Sequence, residues 1–381
     1  MGQSKKIKIH NKSDKPDNIV MKEHEIMTKC KALEKKLPPF MGGFFAYLKG
    51  NVLPMTRLAY LQDITFFCKY LVEETTLTGG KETRKITAKE FDAIKGVDVN
   101  IFLDYCRQYE KEADNAIYVY ENSNKTLARK KSSLSVLFKQ LYRDEILSKN
   151  ITDSFDPIRV PKAAEREIKA LQDDEVMVML DAVSTGAGLT KREHQFWEKT
   201  KLRDKAMLIL FLTYGLRLSE LQQLNVSSFN FSRGEYTIYR KRGKESTMPL
   251  NQSVALAVME YIDLERSVIA TEEEDALFLS LQGRRITERQ IRELVKKYTA
   301  IGMKTSRSAG YSPHKLRATT ATSLIQRGNS IFDVQALLDH EQVTTTQLYA
   351  RHKINVKRDL VKNMEWETER KGKDHKDHDD E

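Results

Sequence analysis

Three short segments in the second half of the chain hold side chains able to grip an anion or move a proton. The first is Thr213-Tyr-Gly-Leu-Arg-Leu-Ser-Glu-Leu221. An apolar helix over Met207–Leu212 precedes it, Gly215 can end that helix in the left-handed conformation, and Ser219 with Gln222 can form the capping box of the next. Arg217 is thereby held in a tight elbow between two buried helices. A long cation so close to a core needs a partner, either Glu220 or a bound anion. The second is Ser312-Pro-His-Lys-Leu-Arg317. Ser312 is a good N-cap and Pro313 suits the first helical position, so His314 and Arg317 share one face of the first turn. That end of a helix offers free N–H groups and positive potential, suited either to phosphate or to plain surface capping. In the third, Leu337 and Leu338 finish an amphipathic helix that begins near Ile331, and His340 follows. Thr344 and Gln347 can cap a further short helix carrying Tyr349. The nine positions from 340 to 349 suffice for a turn that brings imidazole and phenol towards one site; alone, a tyrosine such as Tyr349 is more often a packed aromatic than a nucleophile.

Elements along the rest of the chain must hold these groups. From Leu37 to about Lys149 the pattern is helical, with Leu58, Leu61, Ile64, Phe67, Cys68 and Leu71 recurring every three or four positions, and Phe102, Tyr105, Cys106 and Tyr109 doing the same. A further helix is expected from about Lys125 to Tyr142 after a capping Glu121-Asn-Ser-Asn124, with Leu127, Leu134, Leu137, Phe138 and Leu141 on one side and Arg129, Lys130 and Lys131 elsewhere on its surface. Asp156-Pro-Ile-Arg-Val-Pro161 favours extended chain and reads as a linker. Beyond it the pattern is again mostly helical, interrupted at Glu235–Leu250 by a β-hairpin whose basic turn is Lys241-Arg-Gly-Lys244. The expected organisation is a basic arm at 1–30, a helical domain at 31–155, a linker at 156–167, a second domain at 168–366 and a charged, disordered tail at 367–381.

With 381 residues, 40% hydrophobic and 31% charged, the chain is a globular protein of about two domains. No apolar run approaches the roughly 20 residues of a membrane helix, and Met1–Lys15 lacks the apolar core of a secretory signal, so a cytoplasmic protein with no membrane partner is expected. Cys30, Cys68 and Cys106 are far apart and form no Cys-x-x-Cys pair, which argues for small buried residues in a reducing compartment. The net charge of +10 and pI of about 9.2 favour a polyanionic partner, of which nucleic acid is the commonest.

Taken in order, and after a basic helical domain, the segments resemble the tyrosine recombinase (integrase) family over most of the chain. That family's pattern of Arg, a β-hairpin Lys, His-x-x-Arg, His or Trp, and Tyr is filled here by Arg217, Lys241, His314, Arg317, His340 and Tyr349. Gly-Leu-Arg-Leu-Ser-Glu-Leu, His-Lys-Leu-Arg and Leu-Leu-Asp-His look most like the bacterial Xer branch. The long first domain with its loop at Thr78–Gly96 resembles the single-protein type of streptococci and lactobacilli. The hairpin also offers Arg240, Arg242 and Lys244. Pro249-Leu250 closing the second strand supports Lys241, Lys244 is the alternate, and arginine is excluded as a proton donor by its high pKa. Ala318 departs from the histidine common there in Xer relatives.

The resemblance implies a mainly α fold with a small β-hairpin or sheet: a helical SAM-like core-binding domain followed by a mixed α/β catalytic domain. It implies a site-specific recombinase acting through a 3′-phosphotyrosine at Tyr349, of the Xer type that resolves chromosome dimers. A mobile-element integrase, a type IB topoisomerase-like relaxing enzyme and a non-catalytic DNA-binding protein are the alternatives. Arg217 and Arg317 would hold the non-bridging oxygens with His340 as a third donor, Lys241 would protonate the leaving oxygen, His314 would act as base or relay, and Glu220 would orient the cluster. No metal or other cofactor is implied, because protein cations take the place of Mg²⁺ and the phosphotyrosine conserves the bond energy without ATP. The partners implied are double-stranded recombination sites and three further copies in a homotetramer, with accessory proteins unspecified. Val356, Leu360, Met364 and Trp366 would dock on a neighbouring subunit or pack on their own. Lys125, Arg129 and Lys130 are the candidate DNA contacts, mostly to backbone phosphate.

Overall fold

The computed structural model describes residues 10–13, 15–161, 169–240, 244–271 and 274–339. Among these, residues 10–161 form one compact unit, and residues 169–240 with 245–339 form another.

The first unit follows from its apolar spacing. Its elements are α1 (Asp17–Glu34), α2 (Gly42–Asn51), α3 (Pro54–Glu73), α4 (Ala88–Asp92), α5 (Gly96–Tyr105), β1 (Gln108–Ala113), β2 (Ala116–Glu121) and α6 (Asn124–Arg143). Leu61, Ile64, Phe67, Cys68 and Leu71 of α3 meet Phe102 of α5 and Leu134, Leu137, Phe138 and Leu141 of α6 in one core. Ser123 caps α6 by accepting from the Thr126 amide, within the polar stretch expected to do so. The three cysteines are buried and free, and burial pushes the Cys68 and Cys106 thiols up to about 12. Helix α1 crosses residue 30, where the arm was expected to end, because Ile19, Ile26 and Cys30 are buried.

Two expectations for this unit are corrected. The helix carrying Phe102 and Tyr105 stops before Tyr109, and residues 108–121 form an antiparallel ribbon with Tyr109 opposite Tyr120. Asp114 and Asn115, both at positive φ, make its two-residue turn, and the aromatic, β-branched run Ile117-Tyr-Val-Tyr120 prefers a strand. Lys130 is also not on the surface. It is 7% exposed, 3.4 Å from the Asp63 carboxylate, with its ammonium 4.4 Å from the centre of the Phe66 ring. Arg129 bonds to the same carboxylate but keeps an exposed flank, while Lys125 is exposed.

The second unit comprises α7 (Asp173–Thr185), α8 (Lys191–Trp197), α9 (Lys201–Tyr214), α10 (Leu218–Gln222), β3 (Phe229–Asn230), β4 (Glu235–Tyr239), β5 (Glu245–Pro249), α11 (Gln252–Tyr261), α12 (Ser267–Ile269), α13 (Glu288–Gly302), α14 (Pro313–Gln326) and α15 (Ile331–Leu338). Its axis is the apolar α9, which packs against α7, α11 and α14. The hairpin lies where the sequence places it, with Tyr236 opposite Met248 and Ile238 opposite Ser246, and β3 adds a short third strand. Tyr236 and Ile238 face the core, so by the two-residue period Arg240 falls on the same buried face. Among the described residues no helix is long and apolar enough to cross a membrane.

Candidate active site

Helix α9 ends at Gly215, whose φ of 59° is left-handed and whose missing side chain is needed twice over. A Cβ there would meet Leu338 Cδ2 at 2.5 Å, and Arg317 Cγ lies only 3.5 Å away. The close approach joins the end of α9 to α14 and α15. Thr320 tightens the same junction by donating to the Phe211 and Leu212 carbonyls at the end of α9.

Two residues on, Arg217 is the N-cap of α10. The Glu220 carboxylate accepts from the Arg217 amide and from its Nη1, each at 2.7 Å. The cap of α10 is therefore made by Glu220 on residue 217 rather than by the expected 219–222 box, because a buried carboxylate satisfies both the cap amide and the guanidinium. Arg217 Nη2 donates to the Asp339 carbonyl at 3.1 Å, and 32% of its side chain is exposed.

Helix α14 starts as expected, with Ser312 at the N-cap and Pro313 at the first position, although the Ser312 side chain makes no cap bond. His314 is exposed, whereas Arg317 is 3% exposed. Arg317 donates from Nη1 to the Gly215 carbonyl at 2.7 Å and from Nη2 to the Leu338 carbonyl.

Helix α15 ends in Asp339, which is left-handed at φ 51°. The last carbonyls of a helix have no partner within it and carry its negative potential. Here arginines supply the missing donors. Asp339 accepts from Arg217, Leu338 from Arg317 and from Arg240 Nη1 at 3.1 Å, and Leu337 from Arg240 Nη2 at 3.0 Å. Arg240 is 6% exposed. Three guanidinium groups thus surround one helix end, and the Glu220 carboxylate is bonded to one of them, Arg217. Backbone carbonyls carry partial charge only, so three clustered guanidinium groups can attract an anion such as phosphate.

The structure therefore brings Arg217, Glu220 and Arg317 together, with His314 on the turn that carries Arg317. Lys241, His340 and Tyr349 lie outside the described residues, as does the stretch from Val356 to Trp366. Sequence reasoning missed Arg240 as a member of the cluster. The available signal was its period of two with Tyr236 and Ile238, which marks it as inward-facing. Tyr236, beside Tyr214 with ring centres 5.0 Å apart, has its phenol pushed well above the ordinary value by burial.

Residues 169–355 match the Phage integrase family. Tyrosine recombinase XerC of Caldanaerobacter subterraneus subsp. tengcongensis is 30% identical over 328 residues, covering 82% of this chain and 83% of that relative. XerC of Alcanivorax borkumensis is 31% identical over 227 residues, covering 60% of this chain and 69% of its own. Among solved structures, the XerH site-specific recombinase bound to difH substrate in a pre-cleavage complex matches with a TM-score of 0.57 at 18% identity, covering 94% of this chain and 91% of the other. A lambda integrase (75–356) dimer bound to a core site matches with a TM-score of 0.53 at 11% identity, covering 87% and 98%. These structural matches establish a likeness of fold.

Proposed function

This chain belongs to the tyrosine recombinase (phage integrase) family and is a site-specific DNA-cleaving and rejoining enzyme of the Xer type; from that premise we propose how its residues do the work. The observation that supports the assignment of roles most directly is the arginine cluster at the end of α15, shortly before Tyr349 in the sequence. A scissile phosphate enters beside Arg217, the member with exposed surface. Arg217 and Arg317 hold its non-bridging oxygens, stabilising the charge that builds in the pentavalent state, and His340 adds a third donor.

The Tyr349 phenol loses its proton, with His314 as base or relay, and its oxygen attacks phosphorus. The bond to the 5′-oxygen breaks, and Lys241 protonates that leaving group. The product is a 3′-phosphotyrosine with a free 5′-hydroxyl, and attack by a 5′-hydroxyl from a partner strand reverses the steps and rejoins the DNA. Glu220 keeps Arg217 oriented by bonding both its amide and its guanidinium.

The biological reading proposed is resolution of chromosome dimers by a homotetramer on paired duplex sites, which fits relatives named XerC. Lys125 and Arg129 of α6 contact DNA, whereas Lys130 does not, because it is buried against Asp63. The test is a library of nicked suicide duplexes incubated with wild type and with Tyr349→Phe. Covalent capture by wild type alone is expected, and the captured sequences identify the site. Equal capture by the Phe variant would move the nucleophile elsewhere.

A further inference from the structure

Arg240 has no part in the chemistry just assigned, yet it is one of the most deeply buried cations of the second unit. It directly follows β4, on the face shared by Tyr236 and Ile238, immediately before the turn of the hairpin. Its two Nη groups reach across to another element, donating to the Leu338 and Leu337 carbonyls at 3.1 and 3.0 Å. Nη2 also lies 3.5 Å from the Met248 sulfur of β5, opposite Tyr236 in the ladder. Its Nε is buried without a partner among the described residues. Burying a guanidinium with a donor left over is costly for packing alone, and an apolar side chain would fill the same space without that penalty.

The placement gives the bonds a purpose. The Leu338 carbonyl accepts from both Arg240 and Arg317, so the base of the hairpin and the phosphate-gripping end of α14 are tied to the same oxygen. We propose that Arg240 is a positioning residue: it fastens the base of the β4–β5 hairpin to the carbonyl end of α15, and so holds the hairpin's proton-donating lysine in register with the Arg217–Arg317 pair. This rests on the recombinase chemistry proposed above, and it holds whether the donor is Lys241 or Lys244, since both leave the same base. Both Nη groups of Arg240 bond to the carbonyl end of α15.

A positioning role predicts a selective defect. Loss of alignment at the general acid slows expulsion of an oxygen leaving group, but spares a sulfur leaving group, which departs without a proton. The experiment compares wild type, Arg240→Met and Arg240→Lys in single-turnover cleavage of two duplexes, one with the natural 5′-oxygen and one with a 5′-bridging sulfur at the scissile phosphate. Circular dichroism and DNA affinity are measured alongside. Arg240→Met is expected to bind DNA like wild type, to cleave the oxygen substrate about 100-fold more slowly and to cleave the sulfur substrate within about 5-fold of wild type. Arg240→Lys, which keeps a cationic donor nitrogen, is expected to recover part of the rate on oxygen, and it carries the test should the Met variant not fold.

Equal slowing on both substrates would overturn the proposal and make Arg240 a phosphate ligand or a support for the nucleophile. An unchanged rate on oxygen would overturn it too, leaving the residue a packing element. A wild type that forms no covalent complex on either substrate would remove the recombinase chemistry itself and this inference with it, an outcome distinct from failure of the Arg240 variants alone.

Discussion

Substituting alanine for Gly215 probes the junction on which the whole cluster stands. The residue sits at φ 59°, a region that costs a side-chain-bearing residue roughly 1–2 kcal/mol. The new Cβ would also lie 2.5 Å from Leu338 Cδ2, where real atoms do not approach, so Leu338 or the helix bearing it must move. Overpacking of this kind costs about 1–3 kcal/mol. Together the two effects predict a loss of about 2–5 kcal/mol, read as a lower urea midpoint at unchanged slope. The displaced residue is the one whose carbonyl Arg317 and Arg240 share, so cleavage should fall further than the unfolded fraction explains. Measuring single-turnover cleavage at a temperature where the variant is fully folded separates the two effects. A loss below about 1 kcal/mol with normal cleavage would mean that α15 can retreat freely from α9, and the close approach would then have no role in holding the arginines.

Two further outcomes follow from buried and half-buried charges. Asp63→Ala should cost about 3–5 kcal/mol, because it strands the Lys130 ammonium against the Phe66 ring, whereas Lys130→Met, which leaves Asp63 bonded to Arg129, should cost less in urea unfolding and leave DNA affinity and its salt dependence unchanged. By contrast, Lys125→Ala should weaken binding across sequences and lower the salt slope by about one. Elsewhere in the second unit, Arg307 holds the Glu193 carboxylate through two 3.0 Å bonds, lowering its pKa from 4.5 to about 2. A depressed carboxylate contributes stability above its ordinary value and loses it as pH falls through the folded one. Glu193→Gln, which can still cap the Thr190 amide, should therefore be less stable than wild type by about 1 kcal/mol above pH 4.5, and the gap should close as pH falls towards 2. A gap that persists at pH 2 would assign the effect to packing.

Local patterns in this sequence carried much of the architecture. The three-and-four spacing in α3 and α6, the Ser123 cap, the left-handed Gly215 and the hairpin around residues 241–244 are short-range features, set by backbone sterics and amphipathic periodicity, and each was legible without a partner. So was the order of Arg217, Glu220, His314 and Arg317. What neighbouring residues cannot encode is which surface a charge meets. Lys130 looked like a solvated helix cation until Asp63, 67 positions away, was found to bury it. Residues 108–121 looked helical because Tyr109 continued an aromatic spacing, and only cross-strand pairing with Tyr120 decided for a ribbon. Arg240 read as one of several basic hairpin residues, and Leu338, 98 positions further on, turned it inward. The residue types able to do the chemistry are therefore a property of the sequence. The convergence of three arginines on one helix end belongs to the tertiary structure, because only packing α9, α14 and the hairpin against α15 brings orphaned carbonyls and distant guanidinium groups within hydrogen-bonding reach.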